Sequence, residues 1–104
     1  MTRKEKRLEL HEILCGILGS RNVYFQPPES VKLQYPAIVY QLNNVGTEYA
    51  DNKPYIQSLS YTVTVIDKDP DSELPVLIGE LPKCAYDRHF SSSNLNHYVF
   101  VLYY

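Results

Sequence analysis

The first twenty residues place apolar side chains at helical spacing. Leucine and isoleucine recur at steps of three and one residues, so they share one stripe of a helix, with Glu5, Glu9 and Glu12 outside it. The pattern predicts an amphipathic helix from about Thr2 to Leu18, and Gly19 suits the left-handed position that ends a helix. The apolar stripe consists of Leu10, Ile13, Leu14, Ile17 and Leu18.

The next segments show the patterns of strands. The short run Asn22 to Phe25 stops at Pro27-Pro28, which cannot donate backbone hydrogen bonds and therefore indicates an edge strand. Ala37 to Val45 and Gln57 to Ile66 both alternate between two faces, and the second is rich in β-branched residues. We expect Gly46 to Pro54 to be a loop. A connection this short cannot return a parallel strand, so the two strands should form a long antiparallel hairpin.

The last third of the chain predicts a second helix and two more strands. Asp67 to Ser72 should be a turn, with Ser72 as N-cap of a short amphipathic helix that stops at Pro82. The final strands are expected at Cys84 to Arg88 and at His97 to Tyr103, joined by a polar loop. The order α-β-β-β-α-β-β predicts an α+β fold: one mainly antiparallel sheet with two helices packed on one face.

Composition limits the classes of protein that this chain can represent. Its 104 residues allow one domain, residues 1–104, with a single modest core. Ten basic residues against twelve acidic ones leave no excess positive charge to displace phosphate counterions, which argues against electrostatically driven nucleic-acid binding. A hydrophobic content of 44% with this little net charge argues against disorder.

Targeting signals and cysteine usage predict a soluble protein of a reducing compartment. The apolar run Ile13 to Gly19 is broken by two glycines, and no run approaches 18 consecutive apolar residues. We therefore expect neither a signal peptide nor a membrane segment. Cys15 and Cys84 have no close partner in the sequence, and we expect them to be free thiols.

One acidic motif resembles the start of a calcium loop. Asp67, Asp69 and Asp71 alternate as calcium ligands do in such loops. The sixth position is Ser72 where the sharp turn needs glycine, and the twelfth is Ile78 where a bidentate glutamate is needed. The motif is better explained as an acidic turn that precedes the second helix.

The remaining candidate chemistry centres on Cys84, which could use His89 or His97 as a base and Asp87 to orient that base. No local motif surrounds these residues, and no close pair of cysteines or histidines has zinc-ligand spacing. The sequence also lacks a glycine-rich phosphate loop, a nucleophile elbow and a dinucleotide fingerprint. We expect no catalytic residues, no metal and no cofactor, and we predict that the protein is not an enzyme.

The last strand differs from the rest in its aromatic content. The chain has ten tyrosines, and the segment His97 to Tyr104 is apolar or aromatic on both faces. A single sheet with two helices normally leaves one face wet, so either helices cover both faces or another subunit covers the second. Tyrosine is enriched at interfaces, which favours the subunit. The predicted contact residues are Tyr98, Phe100, Tyr103 and Tyr104.

Four segments carry a family resemblance. They are Tyr61-Thr-Val-Thr-Val-Ile-Asp-Lys-Asp-Pro70, Cys84-x-x-Asp87-Arg88-x-Phe90, Asn94-Leu95-Asn96-His97-Tyr98-x-Phe100, and the strand Pro36 to Leu42 entered through Tyr35. In this order, around a short helix, they resemble the tail terminator proteins of long-tailed phages and prophages, also called tail completion or tail-to-head joining proteins. The resemblance covers nearly the whole chain and includes no catalytic motif.

The resemblance implies a virion subunit, assembled in the host cytoplasm, that forms a hexameric ring on the head-proximal end of the tail tube. Its partners would be the major tail tube protein and the head connector, with DNA only passing through the lumen. A ring requires a heterologous interface, in which one patch meets a different patch on the next subunit. We expect the loop after the second strand to contact the tube or line the lumen through Glu48, Tyr49, Asp51, Lys53 and Tyr55.

Three alternatives stay open at the level of sequence. Within phage assembly, a head-completion or connector protein beneath the portal has the same size and mixed α+β content. A small ligand- or peptide-binding module would instead be a stable monomer with a concave apolar pocket. An enzyme that uses Cys84 and His97 is the last alternative.

Overall fold

The computed structural model describes residues 2–50 and 53–104, and the side chains of residues 2, 4–43 and 60–104. These residues form two helices and five strands in the predicted order, which confirms the α+β class. The elements are α1 (Arg3–Leu18), β1 (Val23–Phe25), β2 (Ala37–Ala50), β3 (Lys53–Asp67), α2 (Leu74–Gly79), β4 (Cys84–Ser92) and β5 (Leu95–Tyr103).

Helix α1 begins and ends as its sequence predicts. The Thr2 hydroxyl accepts the backbone N–H of Glu5 at 3.1 Å, a typical N-cap contact. Gly19 adopts a left-handed conformation with φ of 80°, and its N–H donates to the Cys15 carbonyl at 2.9 Å. Leu10 and Leu14 from the apolar stripe are fully buried, so the stripe faces the sheet.

The sheet has the order β1-β2-β3-β5-β4. β1 pairs parallel to β2 at one edge, and the other three pairings are antiparallel. The register places Tyr40 opposite Val63, Val63 opposite Phe100, and Phe100 opposite Tyr86. One row of side chains on the same face therefore crosses four strands. Tyr40, Val63 and Phe100 are buried in the core, whereas Tyr86 at the edge is exposed.

Both hairpins are longer than the sequence suggested. The predicted loop Gly46 to Pro54 is wrong in its extent, because β2 runs to Ala50 and β3 resumes at Lys53. Cross-strand bonds satisfy the backbone of a two-stranded ribbon whatever its side chains are, so the polar residues there do not end the strands. The loop predicted before the last strand likewise shrinks to Ser93 and Asn94, whose φ values of 53° and 63° are typical of a two-residue type I′ turn.

The core lies between the helices and one face of the sheet. α2 crosses above Phe100, since a Cβ built on Gly79 would lie 3.6 Å from the Phe100 ring. Ser72, predicted as the N-cap of α2, precedes the cap residue Glu73 and instead accepts the N–H of Leu74 at 3.2 Å. The buried core residues are Leu10, Leu14, Cys15, Val23, Ile38, Tyr40, Tyr61, Val63, Val65, Ile78, Phe100 and Leu102.

Candidate interaction surface

The second face of the sheet is not covered by either helix in the described part of the chain, because both helices pack on the core side. At its centre the register brings Thr62 opposite Val101, and Thr64 opposite both Val39 and Val99. We call this surface the open face: Val39, Thr62, Thr64, Val99 and Val101. Val99 is buried by its neighbours and the other four are half-buried.

The open face is β-branched throughout and carries no charge. Charged residues normally populate the wet face of an antiparallel sheet, in alternation with the apolar residues of the core face. The nearest charge on β4 is Arg88, opposite Val99, and its guanidinium pairs with Asp87 at 2.7 Å. The open face is therefore a weakly polar surface with charge at its rim, as protein interfaces often are.

Exposed aromatic rings extend the open face at both ends. Tyr103 continues the alternation of Val99 and Val101 on β5, and 47% of its surface is exposed. At the other end Phe90 is 42% exposed and stacks on His97, with ring centroids 4.6 Å apart and planes 8° apart. The sequence reasoning missed Phe90 because β4 was expected to end at Arg88.

The four predicted contact residues of the last strand lie in different environments. Phe100 is 2% exposed under α2, which removes it from any surface available to a neighbour. Tyr98 is half-buried on the same face, with its ring centroid 4.6 Å from that of His89. Tyr103 is exposed on the open face. Alternation alone could not separate these residues because both faces of β5 are apolar.

Tyr104 lies at the end of β5 against helix α1. Its hydroxyl donates a hydrogen bond to the Glu9 carboxylate, and this bond, more than burial, raises the pKa of Tyr104 to about 12. Tyr104 is half-buried beside the core. It therefore attaches the chain end to α1, and only part of its surface remains for a neighbour.

The side chains predicted to contact the tube or line the lumen are not among the described ones. Asp51 is not among the described residues, and the side chains of Glu48, Tyr49, Lys53 and Tyr55 are not among the described side chains. The backbone positions of those four belong to β2 and β3. Their predicted role stays a prediction.

Strand β4 forms the free edge of the sheet, and its residues from Ala85 to Ser92 are exposed. The register shifts between Tyr86 and Arg88, which leaves Asp87 as an extra residue. Such bulges increase the local twist and hinder pairing of an edge with another strand. The side chains of β4 are thus better suited to contacts than its backbone is.

The candidate catalytic residues are not brought together. Cys84 lies opposite Leu102, whereas His89 lies five residues further along β4, which corresponds to about 16 Å in an extended strand. His97 lies on the face of the sheet opposite to that of Cys84, because it alternates with Tyr98, which shares the core side with Leu102 and Cys84. Burial raises the pKa of the Cys84 thiol, which lowers its nucleophilicity at neutral pH.

The acidic motif forms local hydrogen bonds to its own backbone. The Asp67 and Asp69 carboxylates accept the backbone N–H groups of Asp69 and Asp71 at 3.0 and 2.9 Å, as Asx turns do. Both cysteines are free thiols. Among the described residues, no three histidine, cysteine or acidic side chains are grouped as a metal site would require.

An apolar groove separates α1 from the segment that joins α2 to β4. Its volume is about 330 Å³, and Tyr104 closes one side of it. The groove is the concave apolar feature that a ligand-binding module would use. Its apolar and aromatic lining comes from Leu10, Ile13, Leu81, Pro82, Leu102, Tyr103 and Tyr104.

Comparison with known proteins identifies no relative. No protein-family model, no curated protein and no solved structure matches this chain. Within residues 2–50 and 53–104, no helix is both long enough and apolar enough to cross a membrane.

Proposed function

We propose that the protein is a non-catalytic structural subunit of a phage or prophage tail, of the tail terminator type. In this role it caps the head-proximal end of the tail tube, stops tube polymerisation and joins the tail to the head connector. It acts in the virion as a ring, with six copies as the resemblance implies. The major tail tube protein and the head connector are its partners.

The observation that carries the proposal is the uncharged open face. Val101 and Thr62 lie at its centre, and the exposed rings of Tyr103 and Phe90 lie at its ends. Burying this surface against a protein removes apolar area from water at about 25 cal/mol per Å², and the charge at its rim, Arg88, already pairs with Asp87. A structural subunit that binds between other proteins needs a weakly polar surface of this kind to bury against them.

The arrangement also suits a ring. The open face lies on one side of the sheet, and α1 and α2 form the opposite side of the molecule. In a ring, contacts continue in one direction from copy to copy. The copy that covers the open face of its neighbour must therefore do so with a surface other than its own open face. Such a contact is heterologous, which is the type that generates closed rings.

Deleting the gene from the phage or prophage that carries it tests the proposal directly. We expect electron micrographs to show tubes of uncontrolled length and heads without tails, because nothing stops polymerisation or joins the two parts. Tails of uniform length that remain separate from filled heads would instead indicate a head-completion protein. Normal joined virions would contradict both assignments.

Complementation of that deletion tests the open face. Tyr103→Asp introduces a charge that the buried interface cannot solvate, so we expect it to fail to restore joined virions. The matched control is Tyr86→Asp, because Tyr86 is 59% exposed and shares the other face with Phe100. Equal failure of both variants, with melting temperatures like that of the wild type, would remove the open face from the proposal.

The apolar groove beside Tyr104 favours a second candidate, a monomeric ligand-binding module. Native mass spectrometry of protein purified from its host separates the two. A mass several-fold that of one chain supports the ring. A single chain that retains a small apolar molecule, and loses it when Ile13 is replaced by Asp, supports the module.

A further inference from the structure

A second pocket lies beside the first half of α1, at the base of the long β2–β3 hairpin. Its volume is about 320 Å³. Two cationic residues, Lys4 and Arg7, line it together with the apolar residues Phe25, Leu42 and Tyr61. We call it the basic pocket. Since its described lining includes no carboxylate, the pocket has the character of a site for an anionic group.

Arg7 is held in place by uncharged groups. Its guanidinium carbon lies 4.3 Å from the centroid of the Phe25 ring, which is the geometry of a cation–π contact. One of its nitrogens donates to the hydroxyl of the fully buried Tyr40 at 3.4 Å. A guanidinium has five N–H donors, so most of its hydrogen-bonding capacity remains after this contact.

Neither cation of the basic pocket has an ionic partner among the described side chains. The ion pairs among the described side chains are Arg21 with Glu12 and Arg88 with Asp87, and neither lies in the basic pocket. The neighbouring His11 contributes no second charge at neutral pH, because burial, with Arg21 and Arg7, lowers its pKa. Arg7 is half-buried, and a partly desolvated cation without a counter-ion is a costly arrangement unless a partner supplies one.

The chain has an acidic surface of opposite charge where β3 ends. Residues 67–73 contain four acidic residues and one lysine, a formal charge of 1 − 4 = −3. The basic pocket carries two formal positive charges, those of Lys4 and Arg7. Asp69, Asp71 and Glu73 are exposed, and we call residues 67–73 the acidic turn.

One chain cannot bring these two surfaces together. Tyr61 of the basic pocket and Asp67 of the acidic turn are six residues apart on β3, which corresponds to about 20 Å along an extended strand. An ion pair requires the charged atoms to lie within about 4 Å. The basic pocket and the acidic turn can therefore pair with each other only between molecules.

We propose that the basic pocket of one copy binds the acidic turn of a second copy, so that copies associate head to tail. The occupant follows from the opposite charges of the two surfaces and from their separation along β3, where the pocket lies beside Tyr61 and the turn begins at Asp67. The contact is heterologous, because each copy offers the pocket on one side and the turn on the other. The inference goes beyond the proposed role, since it holds whether or not the chain acts in a tail.

Charge reversal on each surface, followed by mixing, provides the test. We expect Lys4→Glu/Arg7→Glu and Asp69→Lys/Asp71→Lys each to weaken self-association at least ~10-fold, because like charges then face each other. An equimolar mixture of the two variants should regain association, because the native acidic turn of the first variant meets the native basic pocket of the second, and the two reversed surfaces also have opposite charges. Sedimentation velocity at about 50 mM salt measures all three samples, and association should fall at 500 mM salt because screening is stronger there.

The controls separate this contact from general charge effects and from misfolding. Glu29→Lys and Lys32→Glu reverse exposed charges outside both surfaces and should associate like the wild type. Each variant is first checked by thermal melting. If loss of the Arg7 contacts unfolds the first variant, Lys4→Glu replaces it and leaves Arg7 in place.

Three results would overturn the proposal. The first is a wild type that stays monomeric at low salt and high concentration. The second is a mixture that associates no better than its folded components do alone. The third is a monomer that binds inorganic phosphate or a single-stranded oligonucleotide in a manner abolished by Lys4→Glu/Arg7→Glu, because the basic pocket would then serve another anion.

Discussion

The hydroxyl of Tyr40 lies 2.8 Å from Nδ1 of His11, between helix α1 and the sheet. Tyr40 is fully buried, so this hydroxyl has little access to water, and the Arg7 guanidinium is its other described partner. Two residues of α1 thus bond a tyrosine about thirty residues later in the sequence. The contact joins α1 to the strand that carries the long hairpin.

Replacing Tyr40 with Phe should lower the free energy of unfolding by about 1–3 kcal/mol, because it leaves His11 and Arg7 without a buried partner. Urea denaturation measures this change. Tyr86→Phe, which alters an exposed tyrosine, is the matched control and should stay within about 0.5 kcal/mol of the wild type. Equal stability of Tyr40→Phe and the wild type would show that the hydroxyl contributes nothing.

The stability of the protein should depend on pH through His11. Burial is the largest cause that lowers the pKa of His11, followed by Arg21 and Arg7. As pH falls below the ordinary histidine pKa of about 6.5, the unfolded chain binds a proton that the folded chain resists. The free energy of unfolding should therefore decrease between about pH 7 and pH 5.

A variant isolates the contribution of this histidine. His11→Gln removes the titrating group but retains a side chain that can bond Tyr40, so its stability should decline less over the same range of pH. Denaturation at several pH values compares the two proteins. Parallel curves would mean that His11 does not cause the dependence.

The bond between Tyr104 and Glu9 should delay the ionisation of one tyrosine. It raises the pKa of Tyr104 to about 12, so the stability that this bond contributes is present below the ordinary tyrosine pKa of about 10 and is lost as pH rises toward 12. Burial also raises the pKa of Tyr40, so ultraviolet titration should show more than one late-ionising tyrosine in the wild type. One of them should be lost in Tyr104→Phe and should move toward lower pH in Glu9→Gln.

Phe100 and Tyr103 should respond differently to truncation. Phe100→Ala removes a core ring and should cost about 3–5 kcal/mol, whereas Tyr103→Ala should cost less than about 1 kcal/mol because the ring is exposed. Thermal or urea denaturation measures both. A large loss of stability in Tyr103→Ala would mean that this ring supports the fold and not a contact.

Light scattering should show that Tyr103 contributes to the association of copies. We expect Tyr103→Asp to shift the measured mass toward a single chain while the melting temperature stays near that of the wild type. The control Tyr86→Asp should leave the mass unchanged. An unchanged mass for Tyr103→Asp would exclude Tyr103 from the interface between copies.

Local pattern was sufficient for the elements and their class. The apolar stripe of α1, Gly19 after it, and the alternation from Gln57 to Ile66 each predict one element, because periodicity records which side of a helix or strand meets a core. Boundaries were less well predicted. β2 continues through Gly46 and Glu48, and β3 begins already at Lys53, since cross-strand backbone bonds do not require apolar side chains.

The sequence by itself therefore determined the α+β class, the order of the elements and the unusual aromatic content of the last strand. Only the tertiary structure decided that Phe100 faces the helices and Tyr103 the open face, because β5 is apolar on both sides and its register with β3 and β4 makes the choice. It also brought Arg7 against Phe25 and Tyr40. No local pattern encodes that contact, since it forms only when α1 packs across strands that lie later in the chain.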